Sequence, residues 1–128
     1  MSIKALLIKI LNAIKTLNDW FLPSTGYTML NFTTGTANTW QKCGNMAVPY
    51  AGIWRVRAPY VNSAVYGVAI SSTSASSISA ATILAENSTA ATVDVLYLLG
   101  EGTYAFWEKP LTAGRSNYIE IYPVLRMK

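Results

Sequence analysis

Apolar side chains recur in a helical rhythm along the first twenty-one residues and in a strand rhythm along the rest of the chain. Ile3, Leu7, Ile10, Ile14, Leu17 and Phe21 follow one another at alternating steps of four and three. That spacing sets side chains on one seam of an α-helix. A second seam, Leu6, Ile10, Ala13, Leu17 and Trp20, has the same spacing and runs beside the first. The pattern predicts a helix with one broad apolar face, with Lys4, Lys9, Asn12, Lys15, Thr16, Asn18 and Asp19 off the first seam. A lone helix of this length is marginal in water, because nucleation is costly and few turns follow it. Its face therefore calls for a partner: the domain behind it, further copies of itself, a membrane or a larger assembly. Ile and Leu mixed at both core positions, with no buried Asn, favour three or more helices over two.

Pro23-Ser24-Thr25-Gly26 ends the helix and divides the chain into an attachment helix at 1–22 and a β-domain at 27–128. Within that domain Tyr27–Thr33, Trp40–Val48 and Gly52–Ala58 read as strands. In the third, Trp54, Val56 and Ala58 share one face and Arg55 and Arg57 the other, the alternation of a half-buried strand. Val65–Ser71 sets large Tyr66, Val68 and Ile70 against small Gly67 and Ala69, which implies close approach of another layer. Ser72–Ser77 is a loop, and Ile78–Ala85 a weakly β-prone run. Thr92–Leu99 and Thr103–Glu108, joined at Gly100-Glu101-Gly102, form the clearest hairpin signal in the chain. Tyr118–Leu125 closes the series, with Pro123 marking an edge or a bulge. Eight short strands with no second helix predict a mainly β fold, a sandwich, jelly roll or barrel.

Composition sharpens this outline. The 128 residues suffice for one domain with a real core, plus the helix. Apolar residues make up 52% and charged residues only 12%, about half the usual charge of a soluble monomer, which points to surface hidden in an oligomer or on a partner. The net charge of +4 is scattered, with no basic run interleaved with aromatics, so nucleic acid is not an expected partner. Lys9 and Lys15 interrupt any signal-peptide core, and no small-residue cleavage site follows. The expectation is a protein folded in the cytoplasm and not exported through a signal.

Most chemistries fail on residue supply. Histidine is absent, which removes Ser–His and Cys–His nucleophile systems. The single Cys43 excludes an internal disulfide or a multi-Cys metal site and reads as a buried thiol. No Gly-rich phosphate loop precedes a helix, and no acidic cluster offers a calcium site. Asp94, Glu101, Glu108 and Glu120 are the carboxylates of the confident strands and their turn. Glu101 and Glu108 approach across the expected hairpin, yet solvated strand-end charges are the better reading than a glycosidase pair. No enzyme activity, cofactor or metal is expected. The motifs at Asn31-Phe32-Thr33 and Asn87-Ser88-Thr89 match a glycosylation acceptor but lack a secretory context.

Four Trp and eight Tyr exceed what so small a core easily encloses. An inter-subunit seam is the favoured use of that excess. The alternative is a set of rings, Trp40, Tyr60 or Trp107, presented for stacking on a ligand such as a sugar. For the helix, a membrane-surface role is the rival reading, disfavoured because no second anchoring signal accompanies it.

The residues Val48-Pro49-Tyr50-Ala51-Gly52-Ile53-Trp54-Arg55-Val56-Arg57-Ala58, then Val93 to Leu98, then Gly102 to Trp107, resemble the strands of trimeric jelly rolls of the complement/tumour-necrosis-factor type. The chain departs from that pattern in Trp54, where Tyr or Phe is usual, and in an extra residue near Gly100-Glu101-Gly102. The layout of a short heptad helix followed by such a head also resembles bacteriophage tail or head fibres and receptor-binding proteins. The resemblance implies a homotrimer, a virion location, attachment to another virion structural protein through the helix, and contact of the head with a bacterial surface glycan or protein. A capsid decoration or assembly adaptor without a receptor, and a cellular lectin-like adhesin module, are the alternatives.

Overall fold

The computed structural model describes residues 1–23 and 27–127, with side chains for 1–17 and 27–127. A helix, α1 (Ile3–Trp20), is followed by nine strands: β1 (Phe21–Pro23), β2 (Thr28–Thr33), β3 (Gln41–Val48), β4 (Gly52–Ala58), β5 (Val65–Ser72), β6 (Thr82–Ala91), β7 (Val93–Leu99), β8 (Gly102–Pro110) and β9 (Ser116–Met127). The chain is mainly β with one N-terminal helix, as the pattern predicts. Phe21, the last position of the helical seam, belongs to β1.

All pairings are antiparallel. One sheet runs β9–β4–β7, and β2 and β1 share the outer edge of β9, pairing with its first and last parts. The other runs β3–β8–β5–β6. Counted from β2, the eight long strands give the orders 2-9-4-7 and 3-8-5-6, the double Greek key of a jelly roll. Consecutive strands mostly change sheet; β5 and β6 stay together.

That topology corrects one expectation. β7 and β8 flank the Gly100–Gly102 turn but are not a hairpin: β7 pairs with β4, and β8 with β3 and β5. Turn residues specify that the chain reverses, not which strand it meets. A second correction concerns Ile78–Ala85. Ile78–Ala80 is a 3-10 turn, and the strand starts at Thr82 and continues to Ala91 through a polar stretch that pattern alone leaves unmarked.

The core lies between the sheets. Trp54, Val56 and Ala58 of β4, Ile119 and Ile121 of β9, and Val68, Ile70 and Phe106 from the facing sheet are all buried there. The alternation read from β4 holds, and Pro123 sits where the β4–β9 register slips, opposite Trp54. The β3–β8–β5–β6 sheet is buried on its outer face as well. There Ala69 and Trp107 pack with Ala75, Ile78 and Ala81 of the β5–β6 connection and with Trp40. A Cβ on Gly67 would come within 2.8 Å of the Trp40 ring, so the small residues of β5 are the seat of that second layer.

Candidate functional site

Three regions carry the side chains that sequence reading singled out, and the first is α1. Ser2 opens the helix by accepting a hydrogen bond from Ala5 N–H at 3.1 Å, a cap that contributes about 1 kcal/mol. Among the described side chains, residues 3–17 of the helix, nothing in the head covers the large aliphatics. Ile3, Leu7, Ile10, Ile14 and Leu17 of the first seam are exposed, from 47% at Ile10 to 79% at Ile3, and so are Leu6, Ile8 and Leu11. At about 100° per residue, Ala13 through Leu11 span roughly 160° of circumference, and Ile8 lies about 60° beyond that arc, past Lys4 and Lys15. No described helix is long and apolar enough to cross a membrane.

The second region is the outer face of the β9–β4–β7 sheet. β4 presents Arg55 and Arg57, β9 presents Glu120 and Tyr122, and β7 presents Asp94, Leu96 and Leu98. Arg55 holds Asp94 with both nitrogens of its fork, Nε donating to Oδ1 at 2.7 Å and Nη2 to Oδ2. That hydrogen-bonded pair lowers the Asp94 carboxyl below its ordinary range. Arg57 Nη1 donates to Glu120 Oε1 at 2.9 Å. Each arginine is raised by its partner carboxylate, and Tyr122 is raised first by its hydrogen bond to Glu120. The charges cancel locally. Tyr27 packs on Tyr122, ring centroids 5.4 Å apart, at one margin of the face.

The third region is the end of the sandwich where β2, the β4–β5 loop and β9 meet. A hollow of about 470 Å³ is lined by Asn31–Thr33, Val61, Asn62 and Ser116–Tyr118. Its walls are fixed by side chains that bond to backbone across loops. Thr34 Oγ1 donates to Thr112 O at 2.7 Å and accepts from Arg115 N–H at 2.8 Å. Asn62 Nδ2 donates to Ser116 O at 2.6 Å, and Ser63 Oγ accepts from Thr112 N–H at 3.1 Å.

Behind that end lies a buried polar pair. Glu108, on the same inward row of β8 as Phe106, accepts from Asn117 Nδ2 through Oε1 at 2.9 Å, so β8 and β9 are tied across the sandwich. Glu108 is fully buried, which corrects the reading of it as a solvated strand-end charge; Glu120, 3% exposed, is buried too. Among the described residues, Glu108 Oε2 and Asn117 Oδ1 have no partner. Burial, opposed by the Asn117 bond, pushes the Glu108 carboxyl up to about 7. Burial and then the Glu108 charge push the Cys43 thiol up; Cys43 is half-buried and packs against the core rather than within it.

The three proposed stacking aromatics part company. Trp107 is 5% exposed and its Nε1–H donates to Ser71 Oγ at 2.8 Å, so no ligand reaches its ring. Trp40 is half-buried over Gly67. Tyr60, 65% exposed, is open to solvent next to Val61 and Asn62 of the hollow. Tyr118, which sequence reading did not single out as a ligand-facing ring, lines the hollow beside the amides, as does Phe32. The signal was distributed over three separate stretches that only the fold brings together.

No protein-family model matches the chain, and no curated protein matches it. Among solved structures, the chain is similar to a carbohydrate-binding module of lichenase 5A from Cellvibrio mixtus, in complex with cellotriose. The identity is 15%, 84% of this chain and 93% of that chain are covered, and the TM-score is 0.43.

Proposed function

We propose that the chain is a non-enzymatic, homotrimeric attachment protein of a bacteriophage particle, its helices seating it on a virion component and its jelly-roll heads meeting the host surface. The observation that carries the assembly is the helix. Eight large aliphatic side chains, each about half exposed or more, leave the chain's surface with no cover from its own head. Burying the exposed remainder of each would contribute on the order of 1 kcal/mol, so self-association or docking removes a large unfavourable feature of the molecule. The wide arc and the mixed Ile and Leu seam favour three helices over two, and leave apolar surface for a virion partner as well. The virion setting rests on the layout's resemblance to phage fibres.

The non-enzymatic part rests on residue supply. Among the described residues, none of three hollows on the head is lined by two carboxylates, and the sequence has no histidine. Three equivalent heads on one stem would multiply weak contacts by avidity.

Sedimentation equilibrium of the full chain at micromolar concentration tests the assembly, and a trimer is the expected result. A monomer at those concentrations would sink the proposal. For the host-facing role, the purified protein should block adsorption of the parent phage to its host cells. Unimpeded adsorption at saturating protein would assign the chain to decoration or adaptor duty.

A further inference from the structure

We infer that the hollow at the β2–β9 end of the sandwich is a binding groove for an uncharged sugar. The inference deepens the attachment reading and rests on it for its biological role, though binding itself belongs to the head.

Lining chemistry comes first. Tyr118 supplies a half-exposed aromatic surface, Asn31 and Asn62 supply amides, and Thr33 and Ser116 supply hydroxyls. No Asp, Glu, Lys or Arg lines the groove. An anionic or cationic ligand would therefore enter without a counter-charge and lose its hydration. A pyranose ring is the complementary shape: its C–H face suits an aromatic ring, and its rim of hydroxyls both donates and accepts, as amides do. Asn62 Nδ2 is committed to Ser116 O, which fixes the amide and leaves Oδ1 for an incoming hydroxyl. Among the described residues, the Asn31 amide and the Thr33 and Ser116 hydroxyls have no hydrogen-bond partner. At about 470 Å³ the groove falls within the range of small-molecule sites, about 300–1,000 Å³.

The second support is rigidity. Loops at this end are tied through Thr34, Asn62 and Ser63, two of them buried, so the groove walls are held before any ligand arrives. Preformed walls reduce the ordering cost of binding. The third is placement. β9 begins at the groove, at Ser116, and ends at Met127, which pairs with Phe21 directly after the helix. At about 3.3 Å per residue the groove lies roughly 30 Å from the point where the helix joins, at the far pole of the head.

A glycan array carrying neutral and acidic oligosaccharides, probed with the full chain, tests the inference, followed by titration of the best glycan with amide NMR. The expected result is a neutral glycan whose shifts centre on Asn31–Thr33, Val61, Asn62 and Ser116–Tyr118. Tyr118→Ala should weaken that binding at least tenfold. Val61→Arg, at an exposed loop position, should block the groove if Tyr118→Ala fails to fold. Arg55→Ala, on the same sheet outside the groove, should bind as the parent does. Binding to acidic glycans alone, binding that survives Val61→Arg, or no shift at millimolar neutral sugar would each overturn the inference. Sedimentation of the same samples separates the two readings: a trimer that ignores neutral sugars leaves the assembly standing, and a monomer that binds them leaves the groove standing.

Discussion

Leu17 of the helix leaves 61% of its surface in water, while Ile119 of β9 leaves none. Both are large aliphatics in regular, hydrogen-bonded elements of one chain. The head closes most of its apolar surface within itself, between two sheets and again beneath the β5–β6 connection, while Leu96 and Leu98 on its outer face stay more than 60% exposed. Among its described side chains the helix buries no large aliphatic, and it is held by its own cap, its backbone bonds and the Thr16 Oγ1 bond to Asn12 O. One region is therefore stable by its own packing, and the other acquires its stability from whatever it meets. On the proposed reading, self-association belongs to the helix and ligand recognition to the head.

That contrast can be broken most sharply in the seam. Leu7→Glu with Ile14→Glu places charge at two core positions of each helix. The proposed trimer should weaken by at least about a hundredfold, read by sedimentation, while the head's unfolding midpoint stays where it was. If the head destabilises as well, the two regions are not independent.

The reverse experiment is Ile119→Ala. It should cost the head about 2–5 kcal/mol in denaturant unfolding and leave the oligomeric state of the folded protein unchanged.

A subtler distinction comes from Glu108. Its carboxyl is raised from 4.5 in the open chain to about 7 in the fold. A raised acid binds more protons in the native state, so its contribution is fully present below pH 4.5 and is lost as pH rises through about 7. Glu108→Gln should therefore match the parent near pH 4 and exceed it by roughly 3 kcal/mol at pH 8. Helix-driven assembly should show no such pH step. A parent protein that gains stability between pH 5 and 8 would contradict the buried, raised carboxyl.

Much of this architecture was legible. The β4 alternation of Trp54, Val56 and Ala58 announced a half-buried strand because only one face of that sheet meets the core. The helix was legible because its seams have no competing pattern. β6 was not, since Glu86, Asn87, Ser88 and Thr89 lie exposed on an edge strand whose pairing is backbone-made. Trp107 misled because burial of the outer face depends on a loop folding back over it, and no local pattern records that. Glu108 was readable in principle: it shares the i, i+2, i+4 row of Tyr104 and Phe106, which is the inward row. The groove was not readable, because its residues come from three stretches whose meeting is a product of topology.

β9 has one further consequence, which is mechanical. It runs from the groove to the strand that leads into the helix, with β2 and β1 bonded along one edge and β4 along the other. A particle tethered through its helices and held at the far pole would pull along that strand. Tension applied parallel to a ladder must shear its rungs together, whereas tension across it breaks them one at a time. On the proposed reading, the strand joining grip to anchor is flanked on both sides by rungs that would share the strain.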